Sequence, residues 1–224
     1  MSGAAALPHK PKIHPSILCA DHGNLRGEVE KLTAAGVDYF HIDVMDGDFA
    51  PNFGCGSEIM KLVKKTTTIP MDVHLMINNP ARHIKAFRDW GASVLIIHPE
   101  VDVQATRTLA EIKEQGMVPG IAVNPGVSIE TIHELLPLCE HMLVMTVNPG
   151  FGGQQFLEYT VNKIKKLGAL SKEYGFTLCV DGNITPARIQ QLYPMGVTNF
   201  VMGSALFNDS YLETLQTIRN GRYE

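Results

Sequence analysis

The chain has 224 residues, of which 45% are hydrophobic and 19% are charged, and its formal net charge is −4 at pH 7. This length suits one α/β barrel or one to two smaller domains, and the composition is ordinary for a soluble globular protein. The charge balance excludes a basic surface for nucleic acid, and no hydrophobic run approaches the roughly 20 residues that cross a bilayer. We therefore expect neither nucleic acid nor a membrane as a partner.

The cysteines and the first residues bear on the compartment. Cys19, Cys55, Cys139 and Cys179 are scattered, and none forms a Cys-x-x-Cys pair. This argues against a structural zinc site and a disulfide framework, and it suits a reducing compartment. Residues 1–11 lack the hydrophobic segment of a signal peptide, so we expect a short, loose lead-in and a cytoplasmic protein.

Short hydrophobic, β-rich runs alternate with helix-like segments along the chain. The predicted strands span residues 13–18, 39–44, 71–76, 94–97, 118–123, 142–147, 177–180 and 200–202. The predicted helices span residues 25–35, 57–65, 80–90, 103–115, 129–136, 159–174, 185–193 and 209–219. Glycines stand at the expected C-cap positions before the next strand: Gly36, Gly91, Gly116, Gly175 and Gly196.

This alternation predicts an α/β fold with a parallel sheet. Eight units in a chain of this length favour a single closed (β/α)₈ barrel, the TIM-barrel architecture, over an open doubly wound sheet. No shift in composition marks a second domain, so we predict one domain over residues 1–224. In such a barrel the functional side chains lie at the C-terminal ends of the strands.

Polar side chains of metal-binding type stand at several of these strand ends. His41 and Asp43 are two residues apart in the second strand, so they project to the same face. His74 on the third strand and Asp181 after the seventh complete a set of two histidines and two carboxylates. Such a set can bind Zn²⁺, Fe²⁺, Mn²⁺ or Co²⁺, or move protons. The alternative is that His41 and Asp43 only form a hydrogen bond with each other.

Glycine-rich loops follow the last three predicted strands. The chain reads Asn-Pro-Gly-Phe-Gly-Gly-Gln at 148–154, Asp-Gly-Asn at 181–183 and Gly-Ser at 203–204. Backbone N–H groups in such loops can approach an anion, and barrel enzymes often bind phosphate near strands 7 and 8. Tight turns also need glycine, so a purely structural role is the alternative. Three such loops on adjacent strands favour a phosphate site.

Six motifs connect these features. They are Pro-Ser-Ile-Leu at 15–18, His-Ile-Asp-Val-Met-Asp-Gly at 41–47, Val-His-Leu-Met at 73–76, Val-Met-Thr-Val-Asn-Pro-Gly-Phe-Gly-Gly-Gln at 144–154, Val-Asp-Gly at 180–182 and Gly-Ser-Ala at 203–205. In this order they resemble the motifs of the ribulose-phosphate 3-epimerase family. The resemblance implies a ribulose-phosphate-binding barrel that interconverts D-ribulose 5-phosphate and D-xylulose 5-phosphate in the pentose phosphate pathway. It also implies a homo-oligomer, since the family forms dimers or hexamers.

The resemblance also implies a metal centre and a mechanism. One divalent ion per subunit would be bound by His41, Asp43, His74 and Asp181, with Asp43 and Asp181 as the acid/base pair. Under this hypothesis one carboxylate removes the C3 proton and the other returns a proton from the opposite side. The ion would polarise the C2 oxygen and stabilise the enediolate. Either aspartate can be the base, because the two roles exchange when the reaction runs backwards.

The remaining implied contacts surround the substrate. The phosphate contacts are expected at Gly152, Gly153, Gly203 and Ser204. The other expected substrate contacts are Ser16, His74, Met45, Met76, Met145, Gly150, Phe151, Asp181, Gly182 and Asn183. The methionines are expected to cover the reacting region, with core filling as the alternative, and the loop at 151–155 is expected to act as a lid.

Some positions depart from the family pattern or compete with this interpretation. Asn183 stands where the family commonly has glycine, and Asp48 where it often has histidine; asparagine tolerates a positive φ, so the loop can keep its shape. His98 and Asn124 are expected to be structural. One alternative function is a 3-epimerase for a six-carbon ketose phosphate such as allulose 6-phosphate. Another is a non-catalytic sugar-phosphate-binding barrel, against which the intact Asp43 and Asp181 argue.

Overall fold

Eight parallel strands form the centre of the structure, a computed structural model that describes residues 10–221. They are β1 (Lys12–Pro15), β2 (Phe40–Met45), β3 (Met71–Met76), β4 (Ala92–Ile97), β5 (Val118–Val123), β6 (His141–Met145), β7 (Thr177–Asp181) and β8 (Asn199–Met202). The strands are hydrogen-bonded in the order β1-β8-β7-β6-β5-β4-β3-β2. A parallel bridge between Ser16 and His41 joins the two ends of this sheet. The predicted (β/α)₈ barrel is therefore confirmed.

Helices cover the outside of the barrel. Within residues 10–221 the α-helices are α1 (Leu25–Ala34), α2 (Ser57–Thr66), α3 (Ile84–Trp90), α4 (Ala105–Glu114), α5 (Thr160–Tyr174), α6 (Pro186–Leu192) and α7 (Tyr211–Arg219). The predicted helix at 129–136 differs in type, because Ile129–Leu138 forms a 3₁₀-helix that contains Pro137. Proline has no N–H to donate and its ring clashes with the preceding turn, which disfavours an α-helix through this segment.

Several boundaries also differ from the prediction. β1 ends at Pro15 and Ile17–Cys19 form a 3₁₀ turn, so Ser16 lies at the end of the strand and not within it. The predicted helix at 80–90 begins as a 3₁₀ turn, Pro80–His83, before α3. Residues 1–9 of the expected lead-in lie outside the described residues. No helix in the described part of the chain is long and apolar enough to cross a membrane.

Side-chain alternation along the strands separates two environments. On β2, Phe40 and Ile42 pack in the core between strands and helices, where fully burying one such side chain contributes about 1.5–3 kcal/mol. His41 and Asp43, at the alternate positions, face the interior of the barrel. That interior has its own hydrophobic cluster, which consists of Val94, Ile96, Ala122, Leu143, Met145, Val147, Cys179 and Val201. The remaining interior space holds buried polar side chains, which build the site.

Candidate active site

Four polar side chains from three strands converge at the C-terminal end of the barrel. His41, Asp43, His74 and Asp181 each offer one nitrogen or oxygen atom, and these atoms all lie within 4.8 Å of one another. The parallel register explains part of this arrangement, because β2 and β3 pair Asp43 directly with His74. Asp181 at the end of β7 reaches the same point from across the barrel. The structure thus brings together the whole metal set expected from the sequence.

The atoms that face this cluster suit a divalent cation. Nε2 of His41 lies 3.3 Å from Oδ1 of Asp43, and Nδ1 of His74 lies 3.4 Å from the same oxygen. Ligands of a tetrahedral ion with bonds near 2.1 Å are separated by about 3.4 Å. Both ring nitrogens are buried and have no hydrogen-bond partner among residues 10–221. Buried polar atoms are nearly always paired, so two unpaired nitrogens beside a carboxylate fit a metal centre.

The two carboxylates have different ionisation states. Burial opposes the charge on Asp43, but His41 and the contacts with His41 and His74 outweigh it and hold the pKa of Asp43 well below its usual range. Burial, and after it the negative charge of Asp43, raises the pKa of Asp181 to about 7. Without an ion, the pair therefore consists of an ionised and a protonated carboxyl group in slightly acidic solution. Two carboxyl groups with separated pKa values can serve as a base and an acid.

The two histidines also differ. Burial lowers the pKa of His74 to about 4. Burial acts in the same direction on His41, but the charges of Asp72 and Asp43 outweigh it and raise the pKa of His41 well above its usual value. An ion that binds at Nε2 of His41 must displace the proton there, because metal ligation requires the neutral imidazole.

Other side chains hold these four in place. The Ser16 hydroxyl donates a hydrogen bond of 2.5 Å to Oδ2 of Asp43, which leaves Oδ1 for the cluster. Nδ1 of His41 lies 2.7 Å from Oδ2 of Asp72. Asp72 was not singled out from the sequence, although it stands two residues before His74 and the alternation of a strand puts both on one face. His14, another interior residue, was missed because no motif includes it.

His74 is also held by residues that follow the neighbouring strands β4 and β5. Its Nε2 lies 2.8 Å from Nε2 of His98, whose Nδ1 lies 3.3 Å from Glu100. The Asn124 amide donates a hydrogen bond of 2.5 Å to the same Glu100 oxygen. This chain of contacts agrees with the structural role expected for His98 and Asn124.

A cavity of about 370 Å³ opens above the cluster. The expected substrate contacts that line it are Ser16, Asp43, Met45, Met76, Met145, Gly150, Phe151, Gly152, Gly153, Asp181, Gly182, Asn183, Gly203 and Ser204. His74 is completely buried below the cavity and does not line it. The three methionines are almost fully buried, so their sulfur-containing side chains form an apolar wall next to the carboxylates. Cys19 also lines this cavity, which the sequence did not indicate.

The glycine-rich loops form the other wall of the cavity. Gly153 and Asn183 both have positive φ values, 76° and 52°. The backbone N–H groups of Gly152, Gly153 and Asn183 donate no hydrogen bond to an acceptor in residues 10–221. The Asn183 side chain donates a hydrogen bond of 2.9 Å to the Gln154 carbonyl and thereby joins the loops after β6 and β7. Free N–H groups in neighbouring loops are suited to binding an anion such as a phosphate.

The fold and the site together define a β/α-barrel with a candidate divalent-metal centre and a wall of free backbone N–H groups at its mouth. Residues 12–207 match the model of the ribulose-phosphate 3-epimerase family. The chain therefore belongs to this family.

Individual relatives match over most of their length. A ribulose-phosphate 3-epimerase from Bacillus subtilis is 39% identical over 202 residues, which cover 89% of this chain and 93% of that protein. The Escherichia coli ribulose-phosphate 3-epimerase is 36% identical over 212 residues, with 93% and 94% covered. The chloroplast ribulose-5-phosphate-3-epimerase of Arabidopsis thaliana is 37% identical, with 92% and 75% covered.

Solved structures with low identity share the fold. A 3-keto-L-gulonate-6-phosphate decarboxylase from Vibrio cholerae superposes with a TM-score of 0.74 at 13% identity, covering 96% of this chain and 100% of that chain. The corresponding Streptococcus mutans structure has a TM-score of 0.68 at 15% identity, with 95% and 97% covered. At this identity the likeness concerns the barrel architecture alone.

Proposed function

We propose that this protein is a metal-dependent enzyme that interconverts D-ribulose 5-phosphate and D-xylulose 5-phosphate by moving the proton at C3. The main support for the proposal is the cluster of His41, Asp43, His74 and Asp181 at the bottom of a cavity that has a proposed anion-binding wall. Family membership supports the same reaction.

Asp43 and Asp181 are the proposed proton carriers. They stand on β2 and β7, which β1 and β8 separate around the barrel, so they approach a substrate in the cavity from different sides. Epimerisation at C3 needs a base on one face of that carbon and an acid on the other. The low pKa of Asp43 and the raised pKa of Asp181 support one ionised and one protonated carboxyl group. When the reaction runs in the other direction, the two aspartates exchange roles.

His41, Asp43, His74 and Asp181 are the residues that would hold the ion. A divalent ion supplies a Lewis acid that stabilises negative charge on substrate oxygens when the C3 proton leaves. The two histidines stabilise no charge on the substrate directly, because both lie below the cavity. Their part is to fix the position of the ion between the carboxylates. Zn²⁺, Fe²⁺, Mn²⁺ and Co²⁺ all fit this donor set.

The cavity walls orient the substrate. Gly152, Gly153, Gly203 and Ser204 are proposed to bind the phosphate, which fixes the sugar at a distance from the reacting carbon. Met45, Met76 and Met145 exclude water from the region between the carboxylates. The loop at 151–155 is proposed to close over the bound sugar, with Phe151 as its exposed tip.

A coupled assay with D-ribulose 5-phosphate tests the function. The protein is stripped with a chelator and reloaded separately with Zn²⁺, Fe²⁺, Mn²⁺ or Co²⁺. We expect turnover only after reloading, and much slower turnover of D-allulose 6-phosphate. Turnover that survives verified removal of metal would contradict the metal centre. Binding of pentulose phosphate without conversion would point to a non-catalytic barrel.

The proposal extends to the assembly and the location of the enzyme. We propose a homo-oligomer, a dimer or hexamer, with one barrel domain per chain over residues 1–224, in the cytoplasm. All four cysteines are free, which suits a reducing compartment. Phe53, whose side chain is 78% exposed, is a candidate contact for a second subunit. Light scattering on the purified protein tests the oligomeric state.

A further inference from the structure

Below the four-residue cluster lies a second set of buried polar residues, which we call the floor of the barrel: His14, Asp72, His141 and Asn199. All four are at most 4% exposed. None of them lines the cavity, so none can touch a substrate there. Buried polar groups are costly unless they are paired, and so their contacts indicate what they do.

The contact between the floor and the cluster is made by Asp72. Its Oδ2 lies 2.7 Å from Nδ1 of His41, and the parallel register pairs Asp72 with His41 on the neighbouring strand. A carboxylate only accepts, so the proton of this hydrogen bond lies on Nδ1 of His41. The neutral ring then carries its lone pair on Nε2, which is the nitrogen that faces Asp43 and Asp181. Asp72 therefore selects the tautomer that can bind an ion.

Asp72 is itself held from the other side. Nδ1 of His14 lies 3.1 Å from the same Oδ2, and Nε2 of His14 lies 2.9 Å from the Asn199 amide nitrogen. The Asn199 side-chain oxygen accepts a hydrogen bond of 2.9 Å from the Thr198 hydroxyl. The NH₂ group of Asn199 is therefore directed to His14. His14 thus accepts at Nε2 and carries its proton on Nδ1, which faces Asp72 at ion-pair distance without an aligned hydrogen bond. The chain of contacts crosses the barrel interior, because β1 and β3 are not neighbours in the sheet.

We propose that Asp72 is a positioning residue that holds His41 for ion binding, and that His14 and Asn199 orient Asp72 for this task. The inference rests on the proposed metal centre and extends it to the layer of polar side chains below it. Partners of this kind behind a metal-binding histidine typically change metal affinity by about 10–100-fold when they are removed.

The floor also contains a matched control. The ring of His141 lies 6.3 Å from that of His14, and its Nε2 has no hydrogen-bond partner among residues 10–221. His14→Phe and His141→Phe therefore make the same substitution in the same layer. Only the first removes a ring nitrogen that lies 3.1 Å from Asp72, and both keep an aromatic ring in the interior.

The test measures the dissociation constant of Zn²⁺ by calorimetric titration of the stripped, full-length protein. We expect Asp72→Asn to weaken Zn²⁺ binding by about 10–100-fold, His14→Phe to weaken it by a smaller factor, and His141→Phe to leave it unchanged. If Asp72→Asn does not fold, the comparison of the two phenylalanine variants decides. Equal effects of those two variants, or unchanged affinity in a folded Asp72→Asn protein, would overturn the inference.

A spectroscopic measurement separates positioning from general stability. Long-range ¹H–¹⁵N spectra of the Zn²⁺-loaded wild type should show His41 protonated at Nδ1, and the same signal should persist in His141→Phe. In Asp72→Asn we expect the resonance of the Nδ1 proton to move upfield or broaden, because its carboxylate acceptor is gone. An unchanged His41 signal in Asp72→Asn would show that Asp72 has only a structural role. A wild type that converts the substrate but binds no divalent ion would overturn the metal centre and this inference together, whereas unaltered affinity in the variants would overturn the inference alone.

Discussion

The chemistry of this site depends on the different pKa values that neighbouring side chains give to the carboxyl groups of Asp43 and Asp181. Asp43 contacts Ser16, His41 and His74, and these contacts keep it ionised although it is buried. Burial, and after it the negative charge of Asp43, raises the pKa of Asp181, so this carboxyl group is protonated more easily. The same residue type can therefore serve as base and as acid in the proposed mechanism.

The Ser16 hydroxyl gives a prediction for one hydrogen bond. Ser16→Ala removes the donor to Oδ2 of Asp43. A hydrogen bond to a charged group contributes about 1.5–3 kcal/mol, so we expect kcat/KM to fall about 10–100-fold. Ser128→Ala, which removes a hydroxyl that caps the 3₁₀-helix on the outside, is the control and should keep full activity. Steady-state kinetics give kcat/KM for both variants, and equal values would exclude this role of Ser16.

The raised pKa of Asp181 predicts a pH dependence of stability in the metal-free protein. Its pKa in the folded protein, about 7, lies above the ordinary value of 3.8, so folding favours the protonated form. This contribution is fully present below about pH 4 and is lost as the pH rises through 7. The Tm of the wild type should therefore fall relative to that of Asp181→Asn as the pH rises from 4 to 8. Calorimetry in the presence of a chelator measures both values. A constant difference would contradict the raised pKa.

At the scale of the elements, the strands position the cluster and the loops after them complete the cavity. The register of β2 and β3 pairs His41 with Asp72 and Asp43 with His74, which makes a two-by-two block of polar side chains. The loops after β6 and β7 approach so closely that the Thr146 hydroxyl donates to the carbonyls of Asp181 and Gly182. The position of Asp181 thus depends on this loop contact.

Gly182 is the position where that contact requires glycine. Its φ is +121°, and an added Cβ would lie 2.7 Å from a Val147 methyl group and 2.8 Å from the Thr146 hydroxyl oxygen. We expect Gly182→Ala to destabilise the fold by about 2–5 kcal/mol through backbone strain and overpacking, and to lower Tm by roughly 5–15 °C. Gly126→Ala, with no atom within 4 Å of the added Cβ, should change Tm little. Similar melting temperatures for both variants would contradict this packing.

At the scale of the molecule, much of the fold and of the site could be predicted because both follow from simple periodicities. Alternation of strands and helices predicts the barrel, and the two-residue spacing of His41 and Asp43 predicts their common face. The type of the segment Ile129–Leu138 was not predicted, because its hydrophobic spacing fits an α-helix and only Pro137 opposes it.

The contacts in the floor of the barrel were not predicted from the sequence, for a different reason. His14, Asp72 and Asn199 come from β1, β3 and β8, and their contacts exist only once the barrel has closed. A single sequence contains no local signal for contacts between such distant residues. The metal set was accessible because its members stand at the C-terminal ends of predicted strands and the family resemblance implies the same four residues, whereas no motif includes His14.

In the proposed mechanism, two carboxylates move a proton at C3 of a ketose phosphate. The most direct test follows D-ribulose 5-phosphate in D₂O by NMR with the Zn²⁺-loaded protein and its Asp43→Asn and Asp181→Asn variants. Our account predicts D-xylulose 5-phosphate that carries deuterium at C3 from the first turnovers, and turnover at least about 10²–10⁴-fold slower in each variant. Product that keeps the original C3 proton, or full activity in either variant, would contradict the two-base account.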